Sequence, residues 1–386
     1  MKKIIVFNVG SATLKYKLFE FDDTSITELK DGSVENIGTT TGPKNHKLAL
    51  SLLFRGFGVS LPSLAKIDGL VAIGHRAVYG GDEYDGLTKI DQIIINHLKK
   101  YNPIAPLHNP PIIEVMEDIL SHTGREGHRE IPNYALFDSS FYSNLPDKAK
   151  IYPLPYSFYK DYNIKRFGFH GIAHKNITHE ILKNNSEVKK IISVHLGSGS
   201  SITATLDGSP IDTSMGFTPR EGLVMCTRSG DIDPGILIYL LQKKIVKNVD
   251  ELDYVLNHNS GLMGISEISS DMRDLLYIAG YPVEDKNYKP HSSLQNMPEI
   301  YKDKAKLAID IYCYRAQKYI ASYLGILNGC DVLVFTGAVG NESSFIRNKI
   351  CSGLSSILKD TRIEFSPTKE ELEIAKEIIK QLAKEE

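Results

Sequence analysis

Apolar residues fall in short dense runs that end at glycine-rich turns. The first run, KIIVFNV from Lys3 to Val9, is broken only by Asn8, and a Gly-Ser turn leads back out through Leu14, Tyr16 and Leu18. Short apolar runs bounded by turn residues predict buried strands. The pattern recurs at Lys190, where KIISVHLGSGSSITAT aligns without a gap on KIIVFNVGSATLKYKL. Ile4 falls on Ile191, Ile5 on Ile192, Asn8 on His195, Gly10 on Gly197, Ser11 on Ser198 and Thr13 on Ser200. Gly10 and Gly197 are 187 residues apart, close to half the chain. This predicts an internal duplication: two similar α/β halves facing each other, with a cleft between two phosphate-gripping turns.

Further strands are predicted at Leu70–Ile73, just before Arg76, in YALFDSSF, which ends at Asp138, and at Asp331–Phe335. The last enters a glycine-rich loop, Thr336 to Gly340, and Asn341 or Ser343 can cap a helix starting near Ser344. A strand, a glycine loop and a helix N-terminus together suit a phosphate. From Glu371, the spacing of Leu372, Ile374, Ile378, Ile379 and Leu382 predicts a C-terminal amphipathic helix.

Composition narrows the function classes. The chain has 386 residues, a formal net charge of −2 and four scattered cysteines without a CxxC pair. That balance gives no basic surface for nucleic acid, and the cysteines indicate neither a zinc knuckle nor a disulfide framework. No apolar stretch approaches the roughly 18 residues that cross a bilayer. Asn8 and Gly10 end the first apolar run below the length of a signal-peptide core, so a cytoplasmic location is expected. Neither a Walker A pattern nor a full GxGxxG is present, since Gly197-Ser-Gly199 lacks its third glycine.

Asn, Gly, hydroxyls and Lys15 between two strands offer backbone and side-chain donors and a cation, the groups a phosphate recruits. Between the turns lie GHRAVYGG with Arg76, APLHNPP with His108, Asp138, RFGFHGIAH with His170, and TSMGFTPREGLVMCTRSGDIDP with Arg228. Two arginines and two histidines in Gly/Pro-rich loops point to an anion site.

These segments resemble the acetate kinase (acetokinase) family, within the superfamily of acetate and sugar kinases, heat-shock chaperone ATPases and actin. NVGSATLK is similar to that family's NxGSSSxK and GHRAVYGG to its GHRxxHGG. APLHNPP, FGFHG, DTSMGFTP, TRSGDIDP and PTKEELEIA recur nearly verbatim, from residue 3 to about 375. The resemblance implies two ribonuclease-H-like (actin-like ATPase) domains with mixed five-stranded sheets. Domain I is expected at 1–140 plus 371–386, and domain II at 141–370, carrying a homodimer interface. It implies reversible Mg²⁺-dependent phosphoryl transfer between ATP and acetate, with Mn²⁺ able to replace Mg²⁺. Asn8 and Glu370 would hold the metal. Arg76 would grip acetate or acetyl phosphate, with Val78, Leu107, Phe169 and Pro219 around the methyl group. Asp138, His170 and Arg228 would serve the transferring phosphoryl group, supported by His108. Ser11, Thr13 and Lys15 would line one phosphate turn. His195, Leu196, Gly197, Ser198 and Gly199, then Asp271, Met272 and Arg273, and the loop Ala338, Val339, Gly340, Asn341 and Glu342 would hold the nucleotide. Acetate is already ionised at neutral pH, so Asp138 is expected to position Arg228 or a metal-bound water rather than act as a base.

The chain departs from the family pattern mainly on the nucleotide side. HLGSGSS stands for HLGNGSS and FTGAVGNES for FTAGIGENS; Tyr79 replaces a histidine; Tyr281–Pro298 is additional, and the stretch between Leu354 and Ser366 is short. Ser198 and Ala338 keep a pyrophosphate- or phosphate-dependent acetate kinase open as an alternative, and a propionate kinase is another. A non-catalytic, nucleotide-switched actin-like module is a remoter one.

Overall fold

The computed structural model describes residues 1–10, 12–39, 42–57, 64, 66–105, 108–123 and 130–385. The chain divides into two compact units, Met1–Ser143 with Phe169–Asn176 and Lys369–Glu386, and Asn144–Gly168 with Ile177–Thr368.

The first unit is built on β1 (Lys2–Val9), β2 (Leu14–Phe21), β3 (Ile26–Val34), β4 (Leu70–Ala77), β5 (Thr88–Lys89) and β6 (Asn133–Phe137), in spatial order β3-β2-β1-β4-β6-β5. The second holds β7 (Lys190–Leu196), β8 (Ser200–Leu206), β9 (Ser209–Thr213), β10 (Val332–Thr336) and β11 (Arg362–Phe365), in the order β9-β8-β7-β10-β11. In each, three strands form an antiparallel meander, a fourth lies parallel to the first on its free side, and a fifth continues in parallel. The repeated sequence is thus a repeated topology, an α/β fold with mixed sheets. The first sheet goes beyond the expected five strands because the short Thr88–Lys89 stretch pairs antiparallel with β6 at its edge.

Register refines the gap-free alignment. Val9 faces Leu14 across the first hairpin, whereas Leu196 faces Ser200 across the second. The first turn closes through Gly10 N to Thr13 O at 2.8 Å and the second through Gly197 N to Gly199 O at 3.0 Å, so the second turn is one residue tighter. Beyond the glycine, Leu14 rather than Thr13 matches Ser200. Two further expectations shift. β4 runs on past Ile73 to Ala77, so Arg76 sits within the strand. The glycine-rich loop after β10 is a short helix, Gly337–Glu342, before the helix Ser344–Ser352 that Ser343 caps. Gly337 permits this start: its φ is +77°, and a Cβ there would lie 2.5 Å from the Leu196 carbonyl.

The C-terminal helix, Glu370–Glu385, buries Ile374 and Ile378 against Ile4, Val6 and Ala72, with Leu372, Ile379 and Leu382 half-buried beside them. Gly74 lets this helix lie close on β4. A Cβ there would come within 2.9 Å of Ile378 Cδ1, 3.0 Å of Ile374 Cγ2 and 3.1 Å of Val6 Cγ2. The approach is functional in consequence, because it brings Glu370 and Glu371 to the end of β1. Gly74→Val should therefore destabilise the protein by about 1–3 kcal/mol through overpacking. Urea denaturation with an unchanged midpoint would show that the helix does not need this contact.

Candidate active site

In the first unit, three side chains from distant segments converge on one guanidinium. Asn8 lies opposite Arg76 in the parallel β1/β4 register and opposite Lys15 across the hairpin, so the three share one face of the sheet. Asp138 follows β6 and is 1 % exposed. Arg76 donates through Nη2 to Asp138 Oδ2 at 2.8 Å and through Nε to Asp138 Oδ1 at 3.4 Å. Its Nη1 reaches Asn8 Oδ1 at 3.2 Å and Glu370 Oε2 at 3.4 Å. Asn8 Nδ2 in turn donates to Glu370 Oε2 at 2.9 Å and Glu371 Oε1 at 2.7 Å.

Burial pushes the Asp138 carboxyl above its usual range, Arg76 pulls it back, nearby Glu370 adds to the rise, and the Ile172 amide opposes it. Paired with these carboxylates, Arg76 stays protonated at any working pH. The guanidinium that Asp138 grips within its own unit is Arg76.

FGFHG supports this cluster structurally. His170 adopts a left-handed backbone, φ +58°, directly before the helix Gly171–Asn184. Gly171 abuts Asp138 so tightly that a Cβ would sit 2.0 Å from the Asp138 carbonyl oxygen. The close fit lets Ile172 present its amide to the carboxylate. Phe169 is buried, its carbonyl accepts from Tyr142 Oη at 3.1 Å, and its ring lies 6.3 Å from that of Tyr79. Val78 is also buried. His108 is half-buried just before the helix Asn109–Thr123, its amide bonded to Ala105 O. Thr13 closes the first turn and Lys15 is exposed. Ser11 and Leu107 lie outside the described residues.

The second unit holds Arg228, Pro219 and the nucleotide motifs. Arg228 is buried, and Nη1 donates to Pro219 O at 2.7 Å. Among the described residues it has no carboxylate partner, and burial, with Arg220 nearby, pulls its pKa down to about 10. A buried guanidinium without a counter-ion is poised for an anion. A cavity of about 820 Å³ is lined by Gly197, Ser198, Asp271, Met272, Arg273, Ala338, Val339 and Glu342. His195 and Leu196 end β7 beneath it, and Gly199 closes the turn. Gly340 and Asn341 turn their carbonyls to Arg347 Nη1, at 2.9 and 2.7 Å.

Sequence reasoning missed three features. Glu371, next to the expected Glu370, also binds Asn8, and only the packing angle of the C-terminal helix reveals it. Val283, Glu284, Asp285 and Asn287, from the additional segment, line the cavity. His75 is a buried anchor whose Nε2 lies 3.0 Å from Asn133 Oδ1.

Among the described residues no group of three His, Cys, Asp or Glu side chains forms a closed metal site. The oxygen-only set at Asn8 and Glu370 nevertheless fits a hard cation such as Mg²⁺, which takes one or two carboxylates and completes its shell with water and phosphate oxygens.

Two duplicated mixed sheets of this topology, one unit with a guanidinium–carboxylate cluster and the other with a glycine-lined cavity, define a protein of the actin-like ATPase fold. Comparison with known proteins narrows the class. The acetokinase family pattern matches residues 3–370. The acetate kinase of Thermosipho africanus is 38% identical over 376 residues, covering 92% of this chain and 86% of that protein. Among solved structures, Porphyromonas gingivalis acetate kinase superimposes with a TM-score of 0.78 at 28% identity, covering 99% of this chain and 100% of that one. A propionate kinase from Francisella tularensis gives 0.82 at 32% identity, covering 98% and 99%. The chain belongs to the acetokinase family.

His75 carries a pH prediction for the site's foundation. Burial lowers its pKa to about 4, and its Nδ1 has no partner among the described residues. The folded state keeps the ring neutral while the unfolded chain binds a proton below about pH 6.5. Stability is therefore full above that value and falls between about pH 6.5 and 4, by roughly 3 kcal/mol. His75→Gln, which keeps a donor for Asn133, should flatten this part of the urea-denaturation profile; matching slopes for the two proteins would refute it.

Proposed function

We propose that this chain catalyses reversible, Mg²⁺-dependent phosphoryl transfer between ATP and acetate, giving acetyl phosphate and ADP. The observation that carries the reading is Arg228, a buried guanidinium with no carboxylate partner among the described residues, in the unit that holds the glycine-lined cavity. Phosphoryl transfer through a loose transition state needs alignment and charge stabilisation more than covalent chemistry. Arg76, oriented by Asp138, Asn8 and Glu370, keeps an Nη2 proton for a carboxylate oxygen of the acceptor. Asp138 is then the group that orients Arg76, since ionised acetate needs no base. Arg228 and His170 stabilise the transferring group, and the reading requires Arg76 and Arg228 to act on the same phosphoryl group. Mg²⁺, held by Asn8 and Glu370 with Glu371 behind them, would neutralise charge on the donor phosphates.

ATP is favoured over pyrophosphate by the cavity itself. Met272, Leu276, Val283 and Val339 give it an apolar wall, of use to a nucleoside and of none to an inorganic donor. Likeness to the Francisella propionate kinase supports propionate as a second acceptor. No helix of the described residues is long and apolar enough to cross a membrane, and an ATP-using enzyme of this kind would work in the cytoplasm. A homodimer is supported by an exposed apolar face in the second unit, Ile236, Ile238, Tyr239, Ile245, Val249 and Tyr254.

Trapping acetyl phosphate as its hydroxamate, from acetate, ATP and Mg²⁺, tests the reaction. Arg228→Ala should lower kcat on the order of 10³-fold, as loss of a phosphoryl-stabilising arginine does. Activity retained by that variant overturns the role of Arg228, and turnover with pyrophosphate but not ATP overturns the donor. A kcat/KM for propionate above that for acetate would install the second reading. For the assembly, Ile238→Glu should convert a sedimenting dimer to a monomer; wild-type protein that sediments as a monomer at micromolar concentration contradicts the dimer.

A further inference from the structure

The additional segment Tyr281–Pro298 is built into the wall of the donor cavity, and its first half is fixed there from two sides. Tyr281 stacks on Phe345, with ring centroids 4.5 Å apart and planes 28° from parallel. Glu284 accepts from Ser344 N at 2.5 Å and from Ser344 Oγ, at the start of the helix Ser344–Ser352. On the other side Asp285 accepts from Arg273 Nη1 at 2.9 Å. Tyr288 donates to Asp274 Oδ1 at 2.7 Å while its ring lies 5.7 Å from Arg273 Cζ. Residues 281–288 therefore tie the helix Met272–Ala279, which lines the cavity, to the helix Ser344–Ser352, whose N-cap Ser343 lines it.

This changes what Arg273 can do. Asp271 takes its Nε at 3.1 Å and its Nη2 at 2.7 Å, and Asp285 takes Nη1, so every nitrogen of the guanidinium already faces a carboxylate. An arginine with an open fork is a phosphate ligand. This one is held in an arrangement whose net charge is negative. Glu284 and Glu342 also line the cavity, so its lining holds four carboxylates and one guanidinium. Such a wall repels phosphate oxygens and accepts hydrogen bonds from hydroxyl and amino groups.

We propose that Asp285 is a specificity-determining, positioning residue of the donor site: by closing Arg273 against Asp271 and fixing residues 281–288, it makes this end of the cavity accept a nucleoside and reject a polyphosphate. The proposal rests on the nucleotide reading of the cavity given above. It assigns a role to the segment Tyr281–Pro298.

The test is calorimetric binding of adenosine and, separately, of inorganic tripolyphosphate to the full-length protein and to Asp285→Asn and Asp285→Ser. Both substitutions keep an acceptor for the Asn287 amide, now 2.8 Å from Asp285 Oδ1, and so keep the local turn. Wild-type protein should bind adenosine. In the variants the adenosine Kd should rise at least fivefold while the tripolyphosphate Kd falls severalfold, because Nη1 of Arg273 is released. Glu284→Gln, which leaves the Arg273 arrangement closed, should move the ratio of the two constants less than Asp285→Asn does. An unchanged ratio in both Asp285 variants, including parallel weakening of both ligands, overturns the proposal while leaving the nucleotide reading intact. Wild-type protein that binds neither adenosine nor ATP overturns the nucleotide reading and this proposal with it.

Discussion

The Arg76 guanidinium is the fixed point of the first unit. It lies near the end of β4, between two parallel neighbours of a mixed sheet, 16% exposed along its side chain, and a cation there must be matched by carboxylates. The carboxylates come from the end of β6 and the first turn of the C-terminal helix, and the end of β1 adds the Asn8 amide oxygen. Each is positioned by a backbone feature rather than by the charge itself. Gly74 lets the helix reach the sheet, Gly171 lets a helix N-terminus reach Asp138, and the β1/β4 register sets Asn8 beside Arg76. Removing any one carboxylate leaves the others to balance a buried cation, so these groups act as a unit and their effects should not add.

Much of this was legible before any coordinates. The repeated strand–Gly-Ser–strand pattern carried the duplicated topology, because apolar runs and turn glycines report the backbone directly. Arg76, His108, His170 and Arg228 stood out as polar residues in Gly/Pro-rich stretches, and Asp138 as a carboxylate at a strand end, where core packing does not explain them. What stayed hidden was pairing. Nothing in one dimension says that Asp138 meets Arg76, since that depends on the order β1-β4-β6. The slip at Thr13 had a similar cause: a turn shorter by one residue leaves no trace in a run of small hydroxyl residues. Glu371 escaped because neighbouring glutamates on a helix differ only by its rotation about its own axis. The cavity-facing residues of 281–288 escaped because an additional polar segment, read alone, looks like solvated loop.

The two units share a topology and differ in the chemistry placed on it. The position that holds Arg76 opposite Asn8 in the first sheet holds Thr336 opposite His195 in the second. The Lys15 position across the hairpin has Ser201 as its counterpart. A row with two long, charged side chains has thus become a row with two short hydroxyl residues, with glycines nearby at 197, 199 and 337. Long side chains can close on a small anion whose few atoms offer no other purchase. Small residues bring the backbone itself to the ligand, which suits an extended phosphate chain at a strand-to-helix turn. In the second unit Arg228 is a buried cation with no carboxylate partner among the described residues, while acidic residues line the cavity, where Arg273 is neutralised. On the reading proposed above, Arg228 would attract the phosphoryl group that transfers, and the carboxylates of the cavity lining would repel phosphate where the nucleoside would lie. On that reading a duplicated topology with different chemistry on each copy would orient a donor end to end before any side chain touches the reacting atoms.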